Sequence, residues 1–203
     1  MMSTKTDLRI VRTRKLIKEA FLDLIQTKGY ESITIQNIAD CALVNRATFY
    51  LHYKDKQDLL DTLLNEIFNE LADAIKPCSY VQNKMVKIAN FQLLIETIFN
   101  KIAEHKKFFK VMLFENGVNG FNTKMQDVIK EKFNEEFLTY GLDEEILSIQ
   151  PELLTTFISS ALIGTVSWWL KEDLHYSPNQ LAKQTVKLFS IGPLKTAGFQ
   201  IID

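Results

Sequence analysis

Glycine and proline are too rare in this chain to punctuate a sheet. Seven glycines and four prolines are spread over 203 residues, and the segments between them carry apolar residues at spacings of three and four. Turn-poor stretches with this period predict an all-α protein. Ile17, Ala20, Phe21, Leu24 and Ile25 form the first stripe, ended by Lys28 and by Gly29, which can take the left-handed conformation that closes a helix. Leu59, Leu60, Leu63, Leu64, Ile67, Phe68 and Leu71 form another, with Asp55 as its cap and Pro77 at its end. Between the two, Thr34 and Asn45 stand as N-caps of two short helices, separated by a tight break at Leu43-Val44. Longer helices are expected over roughly 83–105, 106–115, 121–140, 151–172 and 178–192. Gly117, Gly120, Gly141 and Ser177-Pro178 separate them. The C-terminal "IGPLKTAGFQIID" is expected to be irregular, and no repeat of solenoid length occurs.

The totals are those of an ordinary globular chain, 46% hydrophobic and 24% charged, with enough length for a real core. Charge is uneven. Residues 1–56 carry ten Lys/Arg against six Asp/Glu, a net +4, whereas the remainder carries 14 against 19, a net −5. A basic N-terminal module before an acidic body points to an anionic partner for the first. Cys41 and Cys78 form no CxxC pair and read as reduced thiols, with Cys41 a small packing residue, in a cytoplasmic protein. The N-terminal "MMSTKTDLRIVRTRK" has no apolar core of a signal peptide. The most apolar run, Phe157–Leu170, is interrupted by serines and reads as too short to cross a bilayer, so no membrane partner is expected. His52, His105 and His175 are too scattered for a metal site, and no cofactor is expected.

Three short helices in the first 53 residues, the last two joined by a tight turn, form a helix-turn-helix pattern. The second helix of such a pair needs small or polar residues at its N-terminal end, and here these are Asn45, Arg46, Ala47 and Thr48. Arg can donate twice to guanine, Asn can pair bidentately with adenine, and Ala or Thr can touch a thymine methyl. Tyr50, His52, Lys54 and Lys56 supply donors for phosphate oxygens, Lys56 at a helix N-terminus. A basic arm before the first helix (Lys5, Arg9, Arg12, Arg14) can follow the backbone or enter a minor groove.

"ITIQNIADCALVNRATFYLHYKDKQDLL", preceded by "RTRKLIKEAFLDLIQTKGYES", resembles the DNA-binding domain of the TetR family of bacterial transcriptional regulators over about Arg12–Leu64. The strongest elements are T-x-x-x-I-A from Thr34, T-F-Y-x-H-aromatic from Thr48 and K-x-x-L-L from Lys56. The resemblance implies a homodimer with its N-terminal domains in successive major grooves of double-stranded operator DNA. It also implies a helical C-terminal domain that takes a small-molecule effector. By position it assigns backbone or base contact to Thr34 and Gln36, base or phosphate contact to Asn45, Arg46 and Thr48, and phosphate contact to Tyr50, His52 and Lys56. Phe49 and Tyr53 match core-facing positions. The domains implied are 1–54 for DNA and 55–203 for ligand and dimerisation. Where the family often has Gly in its turn, this chain has Leu43, so either Leu43 bears a left-handed backbone costing about 1 kcal/mol or the turn differs.

In the second half, Ser160, Gly164 and Ser167 lie on one small-residue stripe that lets another helix approach, either within a subunit or across a dimer. The resemblance favours the dimer, through helices near 151–172 and 178–192, with Trp168 beside the stripe. "GTVSWWLKED" and "SPNQLAKQ" add a shorter likeness to C-terminal domains of a Gram-positive subgroup. Trp168 and Trp169 are about 100° apart on a helix, so at most one fully faces any partner. Twelve of the fourteen phenylalanines follow residue 56, and Phe99, Phe108, Phe109, Phe114, Phe133, Phe137 and Phe157 are candidates to line an apolar cavity. A DNA-binding repressor released by an apolar or aromatic ligand is the function expected, probed against a DNA-binding dimer that answers to a protein partner and no metabolite. No GxGxxG, P-loop, HExxH, GxSxG or CxxC motif occurs, so an enzyme is not expected.

Overall fold

Helix ends fall where side chains can satisfy their unpaired backbone groups. In the computed structural model, which describes residues 3–74, 80–82, 85–114, 117–140 and 147–202 (at 3–7, 74, 82 and 136–138 the backbone alone), the first helix α1 is Ser3–Lys28. Gly29, at φ 76°, and a 3-10 turn at Tyr30–Ser32 follow it. Helix α2, Ile35–Cys41, begins at Thr34, whose side chain accepts from the Asn37 N–H while the Asn37 side chain accepts from the Thr34 N–H. Asn45 caps α3, Arg46–Tyr50, and Asp55 accepts at 2.8 Å from the Asp58 N–H in the first turn of α4, Lys56–Ala74. Such caps stabilise by about 1 kcal/mol each, a large share of what helices this short can gain.

Beyond α4 come a two-residue antiparallel pair, β1 (Val81–Gln82) with β2 (Met85–Val86), and helices α5 (Ile88–Glu104), α6 (Lys106–Leu113) and α7 (Phe121–Thr139). Then follow α8 (Pro151–Lys171), α9 (Pro178–Ile191) and the single turn α10 (Pro193–Thr196). Ser177 caps α9, with Pro178 at its first position.

The chain packs as two units, Met1–Asn69 with Lys107–Phe121, and Glu70–Lys106 with Asn122–Asp203. In the first, Ile17, Phe21 and Ile25 of α1, Ile38 and Ala39 of α2, Phe49, and Leu59 have no exposure. Phe121 stacks on Phe68 at 6.0 Å and meets Phe108 edge-on at 5.7 Å. At the surface Lys18 pairs with Glu66, and Lys107 with Asp23 at 2.6 Å. In the second unit α5 packs along α9, burying Leu94, Ile95, Phe99 and Ile102 of α5 and Leu181, Ala182, Thr185 and Val186 of α9. Trp169 is fully buried, edge-on to Phe99 at 5.4 Å, with its indole N–H donating to the Tyr176 carbonyl at 2.8 Å. Each large apolar side chain buried this fully contributes about 1.5–3 kcal/mol.

Several expectations change. The basic arm is not a tail: Arg9, Arg12 and Arg14 lie on α1, because no Gly or Pro interrupts residues 3–28 and a nucleated helix propagates. The helix expected from 83 starts at Ile88, since 81–86 pair as strands and the Lys87 N–H is drawn to the Tyr80 carbonyl at 2.7 Å. Cys41 is exposed, because Ile38 and Ala39 take the inward face of α2. The C-terminal segment contains the short helix α10. The apolar stretch read from sequence lies within the longer α8, whose 21 residues include an 18-residue window of mean hydropathy 1.5; by length and composition alone it is long enough to cross a membrane, a test that a buried core helix also passes. Pro77, Cys78 and Gly141 lie outside the described residues.

Leu43 does adopt the left-handed backbone, at φ 55°. Its N–H donates to the Asp40 carbonyl at 3.2 Å, and the Val44 N–H donates to that of Ala39 at 3.0 Å. This is the Schellman pattern, with Leu43 where glycine is usual. Asp173 repeats it after α8 at φ 54°, its N–H donating to the Leu170 carbonyl while the Leu174 N–H donates to that of Trp169. The Leu43 side chain is 93% exposed, so its removal forfeits little burial. Leu43→Gly is expected to raise stability by about 0.5–1 kcal/mol, strain relief exceeding the added freedom of the unfolded chain. Urea titration of both proteins checks this, and an unchanged or lower midpoint counts against the strain.

Candidate DNA-binding surface

Helix α3 is only five residues long, so one buried residue sets the direction of the others. That residue is Phe49, which has no exposure and meets Tyr53 at 5.7 Å. At about 100° per residue, Ala47 and Leu51 then point away from the core, with Thr48 and Tyr50 at the flanks. The accessibilities agree: Arg46 and Ala47 are exposed, Thr48 is half-buried, Tyr50 is 45% exposed and Leu51 81%.

The polar groups on this surface are partly committed. Asn45 accepts at 2.6 Å from the Thr48 N–H and at 2.9 Å from the Thr48 hydroxyl. Both lone pairs of its oxygen are used, so bidentate pairing with adenine is open to it only if the cap breaks. The cap therefore competes with the adenine pairing that its residue type allows. Arg46 Nη2 donates to the Tyr50 hydroxyl at 3.0 Å, with the guanidinium 5.5 Å from the Tyr50 ring centroid. On α2, exposed Thr34 is engaged in its capping box, and Gln36 Nε2 donates to Asp40 at 2.7 Å. Lys56, half-buried, donates to the Tyr30 carbonyl at 2.8 Å and lies 4.3 Å from the Tyr30 ring centroid. It ties the 3-10 turn to the start of α4. Lys54 is exposed.

Arg14, exposed on α1, is close enough to act on His52 and Tyr53. Burial holds the half-buried His52 below the usual histidine value, and the Arg14 charge adds to that. Burial also pushes Tyr53 up to about 12, against an opposing effect of Arg14. The Tyr53 hydroxyl is buried with no hydrogen-bond partner among the described residues. The Arg14 charge thus acts on His52 although the two are 38 positions apart in the sequence, an effect no local spacing discloses.

The remaining candidates are divided between the two units. Phe109 is buried in the first unit, where Phe114 is half-buried; Phe99 is buried in the second, Phe133 is half-buried there and Phe157 is 60% exposed. Phe108, also buried, meets Phe109 edge-on at 5.1 Å. The Phe137 side chain lies outside the described residues. An open cleft of about 970 Å³ in the second unit, flanked by Lys130, Asn134, Gln150 and Thr155, is lined by none of these phenylalanines. On α8, Ser160 and Gly164 are exposed, Ser167 is half-buried and Trp168 is 44% exposed, while Trp169 is fully buried, as their angular separation demands.

Two family models match the chain. Residues 17–63 match one described as bacterial regulatory proteins, tetR family, and residues 89–190 match one described as a transcriptional regulator C-terminal region. The chain belongs to the TetR family. It is similar to YxbF of Bacillus subtilis (strain 168), an uncharacterized HTH-type transcriptional regulator, at 28% identity over 192 residues, 93% of this chain and 47% of that one. This TetR-family chain spans about half the length of the first curated relatives it matches. Among solved structures it resembles a TetR transcriptional regulator from Streptococcus agalactiae 2603V, with TM-score 0.62 and 23% identity over 92% of this chain and 98% of that one. It also resembles FadR from Bacillus subtilis in complex with stearoyl-CoA, with TM-score 0.61 and 18% identity over 88% and 98%. These two likenesses bear on the fold. The relatives are transcriptional regulators, a class without enzymatic activity.

With the His52 pKa lowered in the folded chain, the unfolded chain takes up this proton at the higher pH. Stability is therefore intact above about pH 6.5 and falls as pH drops through the folded value. Thermal melts at about pH 7.5 and about pH 5.5 check this: the drop in Tm is expected to be smaller for His52→Asn. An equal drop in both proteins means that His52 is not responsible.

Proposed function

We propose that this chain binds double-stranded operator DNA as a cytoplasmic homodimer and represses transcription until an apolar or aromatic small molecule releases it. The observation that carries the reading is the helix-turn-helix of α2 and α3, with the N-terminal end of α3 exposed within a TetR-family match. Residues 1–54 serve DNA and residues 55–203 serve dimerisation and effector. Arg46, with Thr48 and the Asn45 amide N–H groups, reads bases from the major groove; Thr34 and Gln36 approach from α2. Tyr50, His52 and Arg14 donate to phosphates, and Lys56 either joins them or holds the 3-10 turn in place.

Dimerisation is supported by a largely exposed apolar and small-residue stripe on α8: Leu153 and Phe157, each 60% exposed, continue through Ser160, whose hydroxyl accepts from Gln126, and Gly164 to Trp168, which is 44% exposed beside the Tyr176 ring. A Cβ built on Gly164 meets nothing within 4 Å. On α9, Leu188 and Ile191 are 44% and 46% exposed. For the effector, support is the likeness to FadR solved with stearoyl-CoA, with Phe99, Phe109, Phe114, Phe133, Phe137 and Phe157 as candidate contacts. A second reading, regulation by a protein partner without any metabolite, is favoured by the tight packing of Phe99 on Trp169 and of Phe109 on Phe108. Melting shifts in a metabolite screen separate the two, since a ligand at a hundred times its Kd stabilises by about 2.7 kcal/mol.

Gel shifts against the DNA upstream of the gene test the DNA reading. Arg46→Ala and Lys56→Ala are each expected to weaken binding about tenfold, and Lys56→Ala to lower the salt slope by about 1 if its ammonium meets a phosphate. Parent-like binding of every sequence by both variants, with an unchanged salt slope, would falsify it. Gly164→Leu is expected to leave each subunit folded but to raise the dimer Kd tenfold or more, about 1.4 kcal/mol, because its side chain has room only while no second helix lies there. Sedimentation equilibrium reads the outcome, and a parent-like dimer moves the interface elsewhere.

A further inference from the structure

One pair of side chains on α3, Arg46 and Tyr50, is assembled before any base is met. We propose that the Arg46–Tyr50 pair is a guanine-reading fork, in which Tyr50 is a positioning residue that aims Arg46 at a G·C pair in the major groove. The inference rests on the DNA-binding reading above and deepens it.

The polar groups at this end of α3 narrow the options. The Asn45 oxygen is saturated by the Thr48 N–H and hydroxyl, and the Thr48 proton is spent in the same contact. What α3 then offers a base edge is apolar surface from Ala47, the Thr48 methyl and Leu51, the two N–H donors of the Asn45 amide, and the parallel, charged donors of Arg46. Arg46 forms no ion pair among the described residues, so no carboxylate has to be displaced. Guanine is the base that presents two acceptors, O6 and N7, on its major-groove edge, and a guanidinium matches them with two parallel donors.

A free arginine side chain must lose much rotamer freedom to hold that geometry. Tyr50 removes part of the cost beforehand. It lies one helical turn after Arg46, so the two side chains are neighbours along the helix surface. Its hydroxyl accepts one Nη2 N–H at 3.0 Å and its ring faces the guanidinium at 5.5 Å. One of the five guanidinium N–H donors is used, and the rest stay available. The Tyr50 hydroxyl proton can still reach a phosphate, so orienting Arg46 and touching the backbone are compatible.

The test is selection by the full chain from a pool of duplexes randomised over about 20 base pairs, followed by binding to the enriched site and to its variants. The parent is expected to enrich two-fold-related half-sites that share a G·C pair, whose replacement weakens binding about tenfold to a hundredfold. Arg46→Lys keeps the charge but not the fork, and is expected to lose that discrimination. Tyr50→Phe keeps the ring and removes the acceptor, and is expected to lose discrimination severalfold at this base pair and at no other. Melting curves show that the variants are folded. Full discrimination by Tyr50→Phe, or a lower salt slope in that variant with discrimination intact, overturns the positioning role. Enriched sites without a shared G·C pair, or discrimination retained by Arg46→Lys, overturn the guanine assignment. A parent that enriches and binds no DNA overturns the DNA-binding reading itself, and this one with it.

Discussion

The complete burial of Phe49 is the constraint on which the candidate surface depends. A five-residue helix has no stripe to average over, so a single inward ring orients it. With Phe49 inside, Arg46 and Tyr50 become neighbours on one flank, and Ala47 and Leu51 turn outward. Tyr53 continues the same anchor, its ring buried and its hydroxyl unpartnered. The cost of that orphan hydroxyl is offset by the burial of the ring, since an aromatic side chain gains more from leaving water than one hydroxyl loses.

Around this anchor Gly29 closes α1 at φ 76°, while the later connections are held by backbone and ammonium contacts. The turn from α2 to α3 closes as a Schellman motif although its left-handed residue is Leu43. Two hydrogen bonds to the last carbonyls of α2 offset a strain of about 1 kcal/mol. Lys56 joins the 3-10 turn to α4 through the Tyr30 carbonyl and ring. A lysine that reads as a surface charge in the sequence is thereby half-buried, its stem and head both in use.

The second unit follows a different logic. Helix α8 is apolar on more than one side, and Trp169 occupies the inner side with its indole N–H satisfied by the Tyr176 carbonyl. The other side carries Leu153 and Phe157, each 60% exposed, and Trp168, 44% exposed beside the Tyr176 ring. A helix that is apolar around most of its circumference requires cover on both sides. A second copy of the chain meets that requirement without a bilayer, and the open space at Gly164 lets another helix come close.

The sequence by itself determined the all-α class and the caps at Thr34, Asn45 and Asp55, while the inward placement of Phe49 and Tyr53 came from the family resemblance. These are local matters: period, cap chemistry and spacing act within one or two turns of helix. Where those signals are weak the reading failed, as with the strands at 81–86 and the basic arm, which is the start of α1. Only the tertiary structure decided which donors are free. Residue type offered Lys56 to phosphate, yet its ammonium is held by the Tyr30 carbonyl 26 positions away, and the charge of distant Arg14 acts on His52. A hydrogen-bonding group shows its chemistry in the sequence, but its partner is set by the chain returning from a distance.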